Sequence, residues 1–196
     1  MGTNCAPYLA NIFLHTYEDR YINHLIATDQ IDTARSLSDM FRYQDDCIIF
    51  NDRGIFSQHW KAIYPNEMQL EKTSTGSSCT FLDLSIHIVD NKFTYKSYDK
   101  RKNFGFEIIN YPDLTSNIPR APSYGVFTSQ LIRFCDINND LIHFTNDIKL
   151  LVDKLILQNF KPTILKSKFI KFYKNNIIRW SKFGTDIYTL VNMIKC

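Results

Sequence analysis

Two adjacent carboxylates, Asp45 and Asp46, interrupt an apolar stretch running from Phe41 to Cys47-Ile48-Ile49-Phe50. Asp is a poor strand residue, so the pair in Tyr43-Gln44-Asp45-Asp46 marks the tip of a β-hairpin. Such a tip is either a plain solvated turn or a hard-oxygen site for magnesium, which takes carboxylate oxygens. The tetrapeptide alone fits both readings. The elements around it must decide.

Pro7 opens a helical pattern with Leu9, Ile12, Phe13, Tyr17, Tyr21 and Leu25 on one face. Residues 28–40 are polar, with room for one short helical turn. A hairpin at about 40–50 ends at the turn residues Asn51-Asp52-Arg53-Gly54. Residues 55–64 read as a short helix closed before Pro65, followed by a strand at Met68-Gln69-Leu70 and a Ser/Thr/Gly loop at 73–78. Residues 80–89 alternate, with Leu82, Leu84, Ile86 and Ile88 on one face, and Asp90-Asn91 turns the chain into a return strand at 92–98. Beyond Pro112, Pro119 and Pro122 the pattern becomes helical. Leu141, Phe144, Ile148, Leu151 and Leu155 form one stripe, and Leu165, Phe169, Tyr173, Ile177 and Trp180 a second.

Charge is laid out unevenly over the 196 residues. Residues 1–91 hold 6 Lys and Arg against 12 Asp and Glu, and residues 92–196 hold 17 against 8. Between Asp153 and Asp186 there is no acid but there are eight bases. Lys161, Lys168, Lys171, Arg179 and Lys182 gather opposite the second apolar stripe, so a helix there can bury one side and offer the other to phosphates. A solvated helix face is the competing reading. No apolar run approaches the roughly 18 residues of a membrane span, the N-terminus lacks the basic and apolar regions of a secretory signal, and five scattered cysteines suggest reduced thiols in an intracellular protein.

Read in order, these pieces resemble the palm and thumb of a retroelement reverse transcriptase, over nearly the whole chain. Gly2-Thr3-Asn4-Cys5-Ala6-Pro7 and the helix after it resemble motif B, where Gly2 lets backbone approach the template and nascent base pair. Tyr43-Gln44-Asp45-Asp46 resembles motif C, the YxDD box, although its second position is usually small or apolar. Leu70-Glu71-Lys72-Thr73 is similar to the end of motif D, and Phe81-Leu82-Asp83-Leu84 to the primer-grip hairpin of motif E. Tyr98-Asp99-Lys100-Arg101, the segment 118–125 and Ser129-Gln130-Leu131-Ile132-Arg133 look like the entry to a thumb. Together with the Met-Gly-Thr-Asn form of motif B, they suggest Penelope-like elements.

The resemblance implies an α+β fold: a partial polymerase palm over residues 1–98, with a helix packed on antiparallel hairpins, and a connection and mostly helical thumb over residues 99–196. It implies RNA-directed DNA polymerisation on an RNA or DNA template, with a DNA primer and deoxynucleoside triphosphates as partners. The reaction is an in-line transfer between two Mg²⁺ ions about 3.5–4 Å apart, with Mn²⁺ as a substitute. Asp45 and Asp46 would hold metal, Lys72 would neutralise or protonate the leaving pyrophosphate, and Tyr43 would pack under the primer end. Gln44 joins Gly2 and Tyr43 in positioning template and nucleotide, Phe81 and Leu82 form the primer grip, and the five bases of 161–182 meet nucleic-acid backbone.

The family carries a further metal-binding Asp in motif A, upstream of motif B. This sequence reads as starting inside motif B, and Asp19, Asp32 and Asp39 follow it. The expectation is therefore a chain that needs an upstream fingers and palm portion and does not polymerise alone. The alternatives are a non-catalytic nucleic-acid-binding protein, with Phe160, Phe169, Tyr173 and Trp180 near its bases, and a decayed transposon remnant.

Overall fold

Two hydrophobic cores form, one on each side of Thr73. The computed structural model describes residues 4–106, 108–186, 188, 190 and 191. The fold is α+β, with seven α-helices and two small antiparallel sheets among the described residues. No helix among these residues is long and apolar enough to cross a membrane.

In the first unit, α1 (Ala6–Ala27) begins with Pro7 in its first turn, where a missing N–H costs nothing. Helix α2 (Ile31–Ser38), the hairpin β1 (Met40–Tyr43) and β2 (Asp46–Ile49), and α3 (Ile55–Ile63) follow. Gly54, at φ +87°, turns the chain into α3, and the Asp52 carboxylate accepts the Phe56 N–H at 2.8 Å. The core gathers Leu14 and Leu25 from α1, Ala34 and Leu37 from α2, and Phe56, Ile63 and Tyr64 at α3, with Met40 and Ile49 of the hairpin against it.

The apolar face expected along α1 is only partly buried. Leu25 is buried and Tyr17 and Tyr21 half-buried, but Leu9, Ile12 and Phe13 are 60%, 64% and 51% exposed. The first half of α1 turns Leu14 inward instead. Residues 68–70 form no strand; no neighbouring strand among the described residues is paired there to satisfy their backbone.

The second unit begins with β3 (Ser78–Phe81), β4 (Leu84–Val89) and β5 (Lys92–Ser97), paired in that order. The alternating run 80–89 is thus two strands rather than one, broken at Leu82-Asp83, where Leu82 takes φ +53°. Asp90 and Asn91, both left-handed at φ +51° and +58°, make the two-residue turn into β5. This sheet, grouped above with the acidic hairpin, lies in the same unit as the later helices.

Helices α4 (Arg120–Ile137), α5 (Leu141–Leu157), α6 (Pro162–Asn175) and the short α7 (Ile177–Trp180) follow in the same unit. The expected stripes meet in its core: Phe144, Ile148, Leu151 and Leu155 from α5, Leu165 and Phe169 from α6, and Trp180. Ile177 departs from its stripe and is 65% exposed. Phe160, Phe169 and Trp180 are buried and Tyr173 packs against them, so these rings serve as core and not as a stacking platform.

Candidate functional site

The hairpin bearing the two acids is held by polar contacts. Its strands pair Met40 with Ile49 and Tyr43 with Asp46, leaving Gln44-Asp45 as a two-residue turn. Neither outer edge has a strand partner among the described residues, and an isolated two-stranded hairpin is marginal in water. Gln44 sits at φ +54°, a left-handed conformation that costs a non-glycine residue on the order of 1 kcal/mol.

Arg42 compensates. Its Nε donates to Glu18 Oε1 at 2.6 Å, its Nη1 to Asn11 Oδ1 at 2.9 Å and to the Gln44 carbonyl at 3.2 Å, and its Nη2 to the Asn11 carbonyl at 3.2 Å. The Tyr64 hydroxyl donates to the same Glu18 oxygen at 2.7 Å. One guanidinium therefore joins the helix, the strand and the strained turn residue beside Asp45. The pair lies almost out of water, with the Arg42 and Glu18 side chains 10% and 15% exposed. The hydrogen bond to Glu18 raises the Arg42 pKa, and burial together with that carboxylate raises Tyr64, so both keep their protons. Burial pushes the neighbouring Cys47 thiol up to about 11, with Arg42 opposing the shift. At neutral pH Cys47 therefore keeps its proton.

Asp45 stands on the wall of a cavity of about 580 Å³. Ala6, Pro7 and Ala10 at the start of α1 form one side, and Gln44 and Asp45 of the turn another; Trp60 and Leu70 also line it. Asp46 and Tyr43 are exposed and off this wall. Neither the Asp45 nor the Asp46 carboxylate makes a hydrogen bond to a side chain or an ion pair among the described residues, which leaves these oxygens available. No group of three His, Cys, Asp or Glu side chains that could hold a metal ion occurs among those residues. The donor set still fits Mg²⁺, which is commonly held by one or two carboxylates and completes its octahedron with water and phosphate oxygens.

The other expected site residues are dispersed. Lys72 is exposed in an irregular segment and does not line the cavity. Phe81 and Leu82 are half-buried at the β3–β4 turn of the second unit, where the neighbouring Asp83 pairs with Arg133 at 2.9 Å. Gly2 lies outside the described residues. Set beside protein-family models, curated proteins and solved structures, the chain matches none.

Of the five bases, Lys161, the N-cap of α6, and Lys171 are exposed, while Lys168 is half-buried; three residues from Leu165 and four from Phe172, it flanks the buried face of α6 and does not oppose it as expected. The other two are already engaged. Arg179 is paired with Asp136, and the Lys182 ammonium donates to the Asn138 carbonyl at 2.8 Å and lies 4.9 Å from the centre of the Phe183 ring.

Arg42, Glu18, Asn11 and Tyr64 are absent from the expected site. One signal was available. Asn11, Leu14, Glu18 and Leu25 recur at helical spacing, so an acid falls on the face that buries leucines. Such a carboxylate demands a buried cation.

Proposed function

We propose that the first unit is the part of a reverse-transcriptase palm carrying motifs B to D, that the second carries the primer grip and thumb, and that the whole acts in RNA-directed DNA polymerisation. The observation that carries this reading is the shared cavity. The segments resembling motifs B and C are some thirty residues apart in the chain, yet Pro7 and Asp45 line the same space, with Leu70 of the motif D segment. A template–primer end needs such a juxtaposition of a helix start and a carboxylate turn.

Asp45 and Asp46 would hold Mg²⁺, which when bound supplies charge stabilisation at the attacking and leaving oxygens of the transfer. The protein's own part is positioning. Arg42 fixes the Gln44 carbonyl, and with it the backbone that presents Asp45. Tyr43, 54% exposed, offers its ring to a primer end, and the exposed Lys72 is free to approach phosphates. Because the described residues bring no third carboxylate to this turn, the 196 residues alone are expected not to extend a primer.

Mn²⁺ electron paramagnetic resonance and primer extension test the reading together. Weak Mn²⁺ binding that disappears in Asp45→Asn, with no unaided synthesis, is the expected result. Mn²⁺ binding unchanged by Asp45→Asn and Asp46→Asn would remove the metal site. Robust Asp45-dependent synthesis by this chain would overturn the expectation that these residues do not extend a primer alone.

The exposed lysines of α6 favour a second reading, a nucleic-acid-binding protein without catalysis. It predicts duplex affinity that falls steeply with salt and is indifferent to Asp45→Asn.

A further inference from the structure

A second surface, in the other unit, has chemistry of its own. From Lys92 to Glu107 the chain carries five bases and two acids, Asp99 and Glu107, the second of which lies outside the described residues. Asp99 is fully engaged: Arg101 donates to it from Nε at 2.7 Å and from Nη2 at 2.9 Å, and the Arg101 backbone N–H donates at 3.1 Å. These contacts hold the Asp99 carboxyl below the usual carboxylate range, with a contribution from Lys154.

The acid therefore caps and fastens the 3₁₀ turn Lys100–Asn103, which Asn103 braces further by donating to the Tyr98 hydroxyl at 2.7 Å. Lys100 and Lys102 remain exposed, without ion pairs among the described residues. Directly after the turn, Phe104 and Phe106 are 54% and 67% exposed, with ring centres 5.5 Å apart and planes tilted by 46°. Gly105, which joins them, is exposed as well.

We propose that Phe104 and Phe106, with Lys100 and Lys102, form a stacking site for single-stranded nucleic acid. Exposed aromatic rings beside lysines that make no ion pair among the described residues are what unpaired bases and their phosphates require, since every base has a face to stack and a duplex hides it. A membrane surface would also take phenylalanines and lysines. It favours an amphipathic helix lying in the interface, whereas this segment is a four-residue turn followed by irregular chain.

The test is fluorescence anisotropy of labelled dT20 with the full chain. Phe104→Ala/Phe106→Ala should raise the Kd roughly tenfold or more. Lys100→Gln/Lys102→Gln should flatten the plot of log K against log salt by about 1.4. Both variants alter exposed residues, and unchanged far-ultraviolet circular dichroism verifies that they fold. Asp45→Asn should leave dT20 binding intact, so this site stands or falls separately from the polymerase reading. Three results would overturn it: no binding of dT20 by the wild-type chain, unchanged binding by the double phenylalanine variant, or loss in that variant of binding to phosphatidylserine vesicles but not to dT20.

Discussion

Arg42 and Arg179 each meet a carboxylate, yet the two pairs belong to different kinds of architecture. Arg42 and Glu18 are nearly out of water, whereas the side chains of Arg179 and Asp136 are 43% and 52% exposed. Around Arg42 the secondary structure is thin: a two-stranded hairpin with open edges and a helix whose first half exposes Leu9, Ile12 and Phe13. Around Arg179 apolar contact is plentiful. Its neighbour Trp180 is ringed by Phe144, Phe169, Phe172, Tyr173 and Phe183, with centres 4.8–5.9 Å away. The contrast teaches where specificity comes from. In the first unit a buried polar network sets the geometry of the acidic turn; in the second, packing sets the structure and the ion pair rides on its surface.

The largest effect should come from that packing. Trp180→Ala removes a ring 2% exposed and leaves a cavity, which should cost about 4 kcal/mol in urea unfolding. Its indole N–H has no hydrogen-bond partner among the described residues. Trp180→Phe should therefore lose much less than Trp180→Ala, because what it removes is volume and not a bond. Equal losses would show that the indole nitrogen matters after all.

Next is the buried pair. Arg42→Ala leaves the Glu18 carboxylate uncompensated and should cost about 3 kcal/mol. Replacing both partners, as in Glu18→Leu/Arg42→Met, should recover most of that stability. It should not recover Mn²⁺ binding at Asp45, because nothing then holds the Gln44 carbonyl. If Arg42→Ala costs under about 1 kcal/mol, the pair behaves as a surface pair and the contrast with Arg179 disappears.

These expectations mark what the sequence carried and what it did not. Periodicity located α1 and the buried stripe of α5, and turn residues located the acidic hairpin and the end of α3 before Pro65. It failed at 80–89, where alternation continues through a two-residue turn and gives no sign that the chain reverses at Leu82-Asp83. It failed again for Leu9, Ile12 and Phe13, since a stripe of apolar residues does not say whether anything covers it. At the site, carboxylates flanked by strand residues were sufficient to place Asp45 and Asp46 at a turn. The Arg42 network was not visible in the same way, because its partners come from three elements and only folding brings them together.

The smallest stability effect belongs to Arg179. An exposed ion pair is worth roughly 0–1 kcal/mol and less in high salt, so Arg179→Ala and Asp136→Asn should each leave the urea midpoint close to that of wild type. Their effects on nucleic-acid binding should differ. While Asp136 holds the guanidinium, Arg179 is hindered from meeting a phosphate; Asp136→Asn releases it and should steepen the duplex salt dependence by up to about 0.9, one added phosphate contact. Arg179→Ala should produce no such gain. Should both variants leave the slope unchanged, the basic face of α6 works without Arg179, and the pair is a surface contact with no part in binding. A stability loss above about 2 kcal/mol in either would instead mean that this unit, like the first, depends on a polar contact for its structure.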